Sequence, residues 1–371
     1  MVLADRVVDD AALTIADGRI ASLDATGTGP EIDLRGAWLL PGLVDLHCDA
    51  IEKEIEPRPG VHFPLDFAIA NTDKRNAAAG ITTVFHALSF AHDELGVRNV
   101  AMAAEIARGI HAFRPHGLVD NRVHARYEIT DPAGFPVLGA LIAEGDLELI
   151  SFMDHSPGQG QFKTLDAYRD YIVRTYHRTP ADAERMAREK ISGRDSASAR
   201  VESLATDARA CGVRMASHDD DSAERVRAMA ALGVTVSEFP VNLEAATAAR
   251  AAGLATIFGA PNVLRGGSQS GSMRAVDAIA QGVADGLCAD YAPAAMLAAV
   301  FRLRSVSGIG MPAAVRLVTR APALSVGLAD RGEIAPGLRA DLVAVREVAG
   351  FPQVTHAWSA GRLAYAATYP D

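Results

Sequence analysis

Cysteine is scarce in this 371-residue sequence: there are three, Cys48, Cys211 and Cys288, far apart and without a C-x-x-C pair. That excludes a disulfide scaffold and a thiolate zinc ribbon, and it suits a reducing compartment. Aromatic residues make up only 6%, so the core must be built from alanine and aliphatic side chains. Positive charge is in deficit, 36 Lys and Arg against 46 Asp and Glu, for a net −10. Such a balance speaks against a general nucleic-acid or membrane-surface partner. No apolar run approaches the roughly 18 residues of a membrane span. The opening MVLADR has no signal-like hydrophobic segment, so a soluble, cytoplasmic enzyme is expected. A G-x-G-x-x-G after the first strand is also missing, which removes the main argument for a dinucleotide fold.

What is present is alternation. Apolar, strand-like runs at 42–47, 81–86, 122–128, 147–155, 213–218, 234–239, 254–259 and 286–291 are separated by helical patterns. Eight such repeats predict an α/β fold, a (β/α)8 TIM-like barrel, whose chemistry collects at the C-terminal ends of its strands. Short β-like runs broken by Gly-rich turns occupy both ends of the chain. They predict a small β-sandwich made of residues 1–42 together with 320–371, beside a catalytic barrel of 43–319. The charged stretch 156–195 reads as a loop-and-helix insertion over the mouth.

The ends of these strands are where polar residues gather. Residues 41–49 read PGLVDLHCD, and a period of two puts His47 and Asp49 on one face and Cys48 on the other. An imidazole and a carboxylate at the end of a buried strand are costly unless a cation sits between them. Glu128, Asp154-His155, His218-Asp219-Asp220, Glu238, Asn262 and Asp290 recur at the ends of later runs. Converging carboxylates and imidazoles of this kind call for bound cations.

The stretch LPGLVDLHCD (40–49), the late Asp290 and GEIAPGLRADLV (332–343) resemble the amidohydrolase superfamily. The strand-1 motif is H-x-D here where H-x-H is usual. AAGITTV (78–84), DHSPGQGQ (154–161), SHDD (217–220), SEFP (237–240) and GAPNVLRGGS (259–268) are similar to the PhnM family of triphosphate diphosphatases. Two positions depart from that family's pattern, Gln269 in GSQSGS and Ala292 in DYAP.

The resemblance implies a barrel with two divalent ions, zinc foremost and manganese, iron or nickel next. It implies hydrolysis of α-D-ribose 1-methylphosphonate 5-triphosphate to the 5-phosphate and pyrophosphate. His47, Asp49 and Asp290 would hold one ion, and His155 and His218 the other. Glu128 is the candidate bridging carboxylate, with Glu238 as its competitor or as a neighbour of the substrate. Asp290 is the candidate general base for the attacking water. Lys53, Arg58 and His62 after strand 1, and Asn262, Arg265, Gly266, Gly267 and Ser268 after strand 7, are the candidate phosphate contacts, through guanidinium, imidazole and backbone N–H donors. His86, His92, His111, His116, His124, His177 and His356 are read as structural or surface residues. Alternatives are C–N hydrolysis of a cyclic amide or N-acyl amino acid, a related phosphate ester as substrate, and a silent scaffold. The expected partner is a small phosphorylated sugar, with no nucleic acid or membrane, and the superfamily's habit of pairing points to a homodimer.

Overall fold

The structure is a computed structural model that describes the chain except for residues 26, 28, 93–95, 161, 269–270 and 371 and the side chain of residue 195. Gln161 and Gln269, quoted above in two motifs, thus lie outside the described residues. Near the N-terminus, β1 (Thr14–Ala16) and β2 (Arg19–Ser22) form a hairpin, followed by β3 (Trp38–Pro41). The barrel strands are β4 (Leu43–Cys48), β5 (Ile81–Phe90), β6 (Asp120–Glu128), β7 (Leu149–Met153), β8 (Arg214–His218), β9 (Val236–Glu238), β10 (Ala255–Gly259) and β11 (Gly286–Cys288). They pair in sequence order, all parallel. The sheet closes nearly on itself: Asp290 N–H donates to His47 O at 2.8 Å and Asp49 N–H to Asp290 O at 3.0 Å. This is the barrel the alternation predicts.

After the barrel come β12 (Leu342–Val348), β13 (Phe351–Ser359) and β14 (Arg362–Ala366). They form an antiparallel sheet in the order β14-β13-β12-β3, so both ends of the chain share one sheet. Ile20 of the hairpin meets Leu39, Ile334, Leu342 and Trp358 in a separate buried cluster. A lone hairpin is marginal in water, and this shared apolar interior is what holds β1 and β2.

Inside the barrel, Val44, Leu46, Phe85, Leu149, Ala216, Val236, Ile257 and Cys288 fill the lower part. Strict alternation from Val44 and Leu46 would turn His47 outward. The pairing register of β4 with β5 shifts between Asp45 and Cys48, and this irregularity brings His47 to the interior. On β6, Val123, Ala125 and Tyr127 pack outward against the surrounding helices, leaving His124, Arg126 and Glu128 on the inner face.

Between β7 and β8 the insertion folds as two helices, Leu165–Tyr176 and Pro180–Gly193. Thr164 and Thr179 cap them, each accepting a backbone N–H three residues on at 3.1 Å. Phe162, Tyr168, Ile172, Ala183, Met186 and Ala187 give the insertion its own small core. It touches the barrel closely at Gly193, where a Cβ would stand 2.4 Å from Thr130 O, so only glycine fits. Among the described residues no helix is long and apolar enough to cross a membrane.

Candidate metal centre

The rim of the barrel repeats one backbone device. Asp219, Phe239 and Asp290 directly follow or closely follow β8, β9 and β11, and all three have φ near +53°: 53°, 53° and 54°. Each donates its N–H to the neighbouring strand: Asp219 to Glu238 O at 2.9 Å, Phe239 to Ile257 O at 2.8 Å, Asp290 to His47 O at 2.8 Å. The left-handed conformation costs little for Asp but more for Phe, and the inter-strand hydrogen bonds hold it.

Glu238, fully buried, lies between imidazoles. Its Oε1 is 3.2 Å from His47 Nδ1; its Oε2 is 3.4 Å from His218 Nδ1 and 3.6 Å from His124 Nε2. His124 faces Leu46 O at 3.0 Å through Nδ1. A carbonyl only accepts, so Nδ1 carries the proton and Nε2 is left to accept from Ser151 Oγ at 2.8 Å. Burial opposes the charged form of Glu238, but His124 and His47 outweigh it and hold the carboxyl well below the usual range. Burial pushes His47 down, and takes His124 down to about 3.

A second group stands beside the first. His155 Nε2 is 3.6 Å from Asp219 Oδ2 and its Nδ1 is 3.5 Å from Glu128 Oε2, while His218 Nε2 is 4.0 Å from the same Asp219 oxygen. Lys190, from the second insertion helix, places Nζ 2.7 Å from Glu128 Oε2. Burial raises the Glu128 carboxyl, yet Lys190 and His155 overcome it and hold it down to about 2. For His155 burial lowers the imidazole, but Asp219 and Glu128 carry it above its ordinary value. Asp290 moves the other way: burial, and then the neighbouring Asp49 carboxylate, raise it well above the carboxylate range.

Donor atoms of His47, His218 and Glu238 lie within 4.8 Å of one another, and so do those of His155, His218 and Asp219. Four-coordinate divalent ions sit about 2.0–2.2 Å from N and O ligands, so either group matches one ion's reach after slight contraction. His155 Nε2 is buried without a hydrogen-bond partner among the described residues. The donor set therefore fits divalent cations. His218 belongs to both groups, its Nδ1 facing Glu238 and its Nε2 facing Asp219.

These residues open into a cavity of about 350 Å³ lined also by Asp49, His92, Arg98, Arg126, Phe162, Tyr171, Tyr176, Lys190, Asn262, Arg265, Gly267, Ser268, Asp290 and Tyr291. The structure thus brings together His47, Asp49, His155, His218 and Asp290, with Glu128 and Glu238 behind them. Asn262, Arg265, Gly267 and Ser268 also line the cavity, and Asn262 is engaged by Met273 O at 3.2 Å and Ala275 N at 3.0 Å. Gly266 is exposed and left-handed at the end of the helix Ala260–Arg265.

Lys53, Arg58 and His62 do not line the cavity and are solvent-exposed. The helix Ala50–Ile55 buries Ala50, Ile51, Glu52 and Ile55, so its period turns Lys53 away. His62 instead approaches Glu56 at 3.7 Å. Asp49 also stands outside both ligand groups; its Oδ2 accepts from Arg98 Nη2 at 2.9 Å. Cationic residues that sequence reasoning missed are Arg98, Arg126 and Lys190. Lys190 had a signal: it follows Ala183, Met186 and Ala187 on the apolar stripe of its helix, an odd place for a lysine facing water. His92 and His124, read as structural or surface histidines, lie respectively on the cavity wall and against Glu238.

An eight-stranded barrel with a terminal sheet and an imidazole–carboxylate rim is the architecture of a hydrolase class. The chain belongs to the amidohydrolase family, whose model matches residues 38–364. It is 35% identical, over 98% of each chain, to the α-D-ribose 1-methylphosphonate 5-triphosphate diphosphatase of Escherichia coli K12. Among solved structures it resembles 5-methylcytosine deaminase from Klebsiella pneumoniae, with a TM-score of 0.64, 15% identity and coverage of 99% of this chain and 97% of that one. Ochratoxinase from A. niger gives a TM-score of 0.63 at 15% identity, covering 99% and 94%. At that identity these two structures speak for the fold alone.

Proposed function

We propose that this hydrolase cleaves the phosphoanhydride of α-D-ribose 1-methylphosphonate 5-triphosphate, giving the 5-phosphate and pyrophosphate, in the cytoplasm. The observation that carries the reading is the 35% identity with the Escherichia coli diphosphatase over 98% of both chains. A cavity edged by Arg98, Arg126, Lys190 and Arg265 suits a polyanionic substrate.

His47, His218 and Glu238 would hold one divalent ion, and His155 with Asp219 or Glu128 a second, with Asp290 beside them. The imidazole-rich set favours zinc, with manganese, iron and nickel as alternatives. When bound, such ions neutralise charge on phosphoryl oxygens and make water more acidic. The chain's own groups do the rest. Asp290, raised toward neutrality by burial, accepts the proton of the attacking water. The contacts of Glu238 with His47 Nδ1 and His218 Nδ1 keep these three donor groups together. Phe162, Tyr171 and Tyr176 of the insertion give the cavity an aromatic wall.

The test is a substrate panel of ribose and nucleoside triphosphates, with and without the 1-phosphonate, read by phosphate and pyrophosphate release. Pyrophosphate from the phosphonate substrate is expected. Turnover of N-acyl amino acids or cyclic amides without any triphosphate cleavage would replace this reading with C–N hydrolysis.

A further inference from the structure

Arg126 stands on the inner face of β6, two residues before Glu128, with its side chain only 9% exposed. Its Nε and Nη2 are buried and have no hydrogen-bond partner among the described residues, and the nearby carboxylate oxygen of Glu52 is 3.8 Å away. A guanidinium carries five N–H donors in a planar fork, and leaving the Nε and Nη2 donors without a hydrogen bond in a nearly dry pocket is costly. The residue lines the main cavity together with His47, Asp49, Arg98 and Asp290.

Glu52 is shared with Arg98 through its other oxygen. Its Oε2 accepts from Arg98 Nε at 2.6 Å, while Asp49 Oδ2 accepts from Arg98 Nη2 at 2.9 Å. Two carboxylates, one at Nε and one at Nη2, fix the plane of the Arg98 guanidinium. Arg98 itself precedes Asn99, whose side chain caps the helix Val100–Phe113, so its backbone is anchored. The strand-1 H-x-D thereby acquires a use that does not need Asp49 as a metal ligand: it aims an arginine.

We propose that Arg126 and Arg98, the latter set by Asp49 and Glu52, form the subsite that grips the non-bridging oxygens of an oligophosphate chain. Planar forks match phosphoryl oxygens two at a time, which an ammonium does not. The buried Arg126 supplies the grip and the partly exposed Arg98 the entrance. The assignment rests on the phosphoanhydride reading above and names the residues that would recognise that substrate. A competing role for Arg126 is purely electrostatic, keeping the Asp290 carboxylate ionised; it would leave phosphate binding untouched.

The experiment is calorimetric titration of the full-length, metal-loaded protein with the magnesium complex of tripolyphosphate, metal content being measured before and after. Arg126→Gln should weaken binding by about tenfold or more with unchanged metal, and Arg126→Lys should recover only part, because the charge returns without the fork. Arg98→Gln should weaken it as well, and circular dichroism of the lysine variant guards against a folding defect. Binding by Arg126→Gln within about twofold of wild type, or no binding of tripolyphosphate by wild type at millimolar concentration, overturns the proposal. A shifted pH profile of turnover with an unchanged dissociation constant assigns Arg126 to Asp290 instead and equally overturns it. Wild-type protein that binds tripolyphosphate but releases no pyrophosphate from the ribose triphosphate would sink the proposed function and leave this subsite standing.

Discussion

Lys190 Nζ lies 2.7 Å from Glu128 Oε2, so a helix of the insertion is tied by charge to the end of the third barrel strand. Arg194, four residues on, reaches Asp154 at 3.2 Å at the end of the next strand. The cover over the mouth and the carboxylates under it are therefore coupled.

Lys190→Met leaves a buried carboxylate without its cation. The metal-free variant should be less stable by about 1–3 kcal/mol, a figure reduced because Lys190 is partly exposed. If Glu128 accepts a divalent ion, adding metal should restore most of that loss. Thermal melts with and without metal measure both terms, and equal melting of variant and wild type in the metal-free state would contradict the coupling.

Asp290→Asn keeps size, keeps the backbone N–H that closes the barrel, and suits a left-handed φ. It removes only the proton acceptor. Turnover should fall by about 10²–10⁴-fold with the circular dichroism spectrum unchanged. Kinetics near wild type would remove Asp290 from the role of base.

Asp49 offers a sharper division between ligand and support. With its carboxylate on Arg98, Asp49→Asn should keep the wild-type metal content and raise KM for a phosphorylated substrate by about tenfold. Elemental analysis decides: loss of an ion per chain would mean that Asp49 binds metal, as the strand-1 motif implies by resemblance.

His86 predicts a pH dependence of stability away from the site. Burial takes its imidazole down to about 4, against the help of Asn121 at 2.9 Å. Between about pH 6.5 and pH 4 the unfolded chain then holds a proton that the folded chain refuses, so stability is full above 6.5 and falls as the pH drops, by up to about 3 kcal/mol. Urea unfolding of metal-free wild type against His86→Gln across that range checks it. The variant should lack this part of the slope, and parallel curves would refute the assignment.

The barrel was legible because its strands are buried on both faces and read as apolar runs, as in 81–86 and 254–259; only their lengths differ, β5 continuing to Phe90. The strand-end rule put His47, His155, His218, Glu128, Glu238 and Asp290 at or just past the ends of barrel strands, where the structure has them. It could not tell which carboxylate meets which imidazole, since that depends on the β4 irregularity that turns His47 inward. Lys53, Arg58 and His62 fall outside the cavity lining because closeness in sequence to His47 says nothing about helix phase. Arg98 was invisible for the opposite reason: it is remote in sequence and reaches the site only through the approach of the N-terminus of the helix Val100–Phe113 to Asp49 and Glu52.

The three left-handed corners at Asp219, Phe239 and Asp290 have one more consequence. At each, the main chain fixes the direction in which the side chain leaves the backbone, because its amide is already spent on the adjoining strand. A replacement that tolerates a left-handed φ, such as Asn for Asp, inherits that direction, so the chemistry displayed at the mouth can be exchanged there while the cylinder beneath stays as it was.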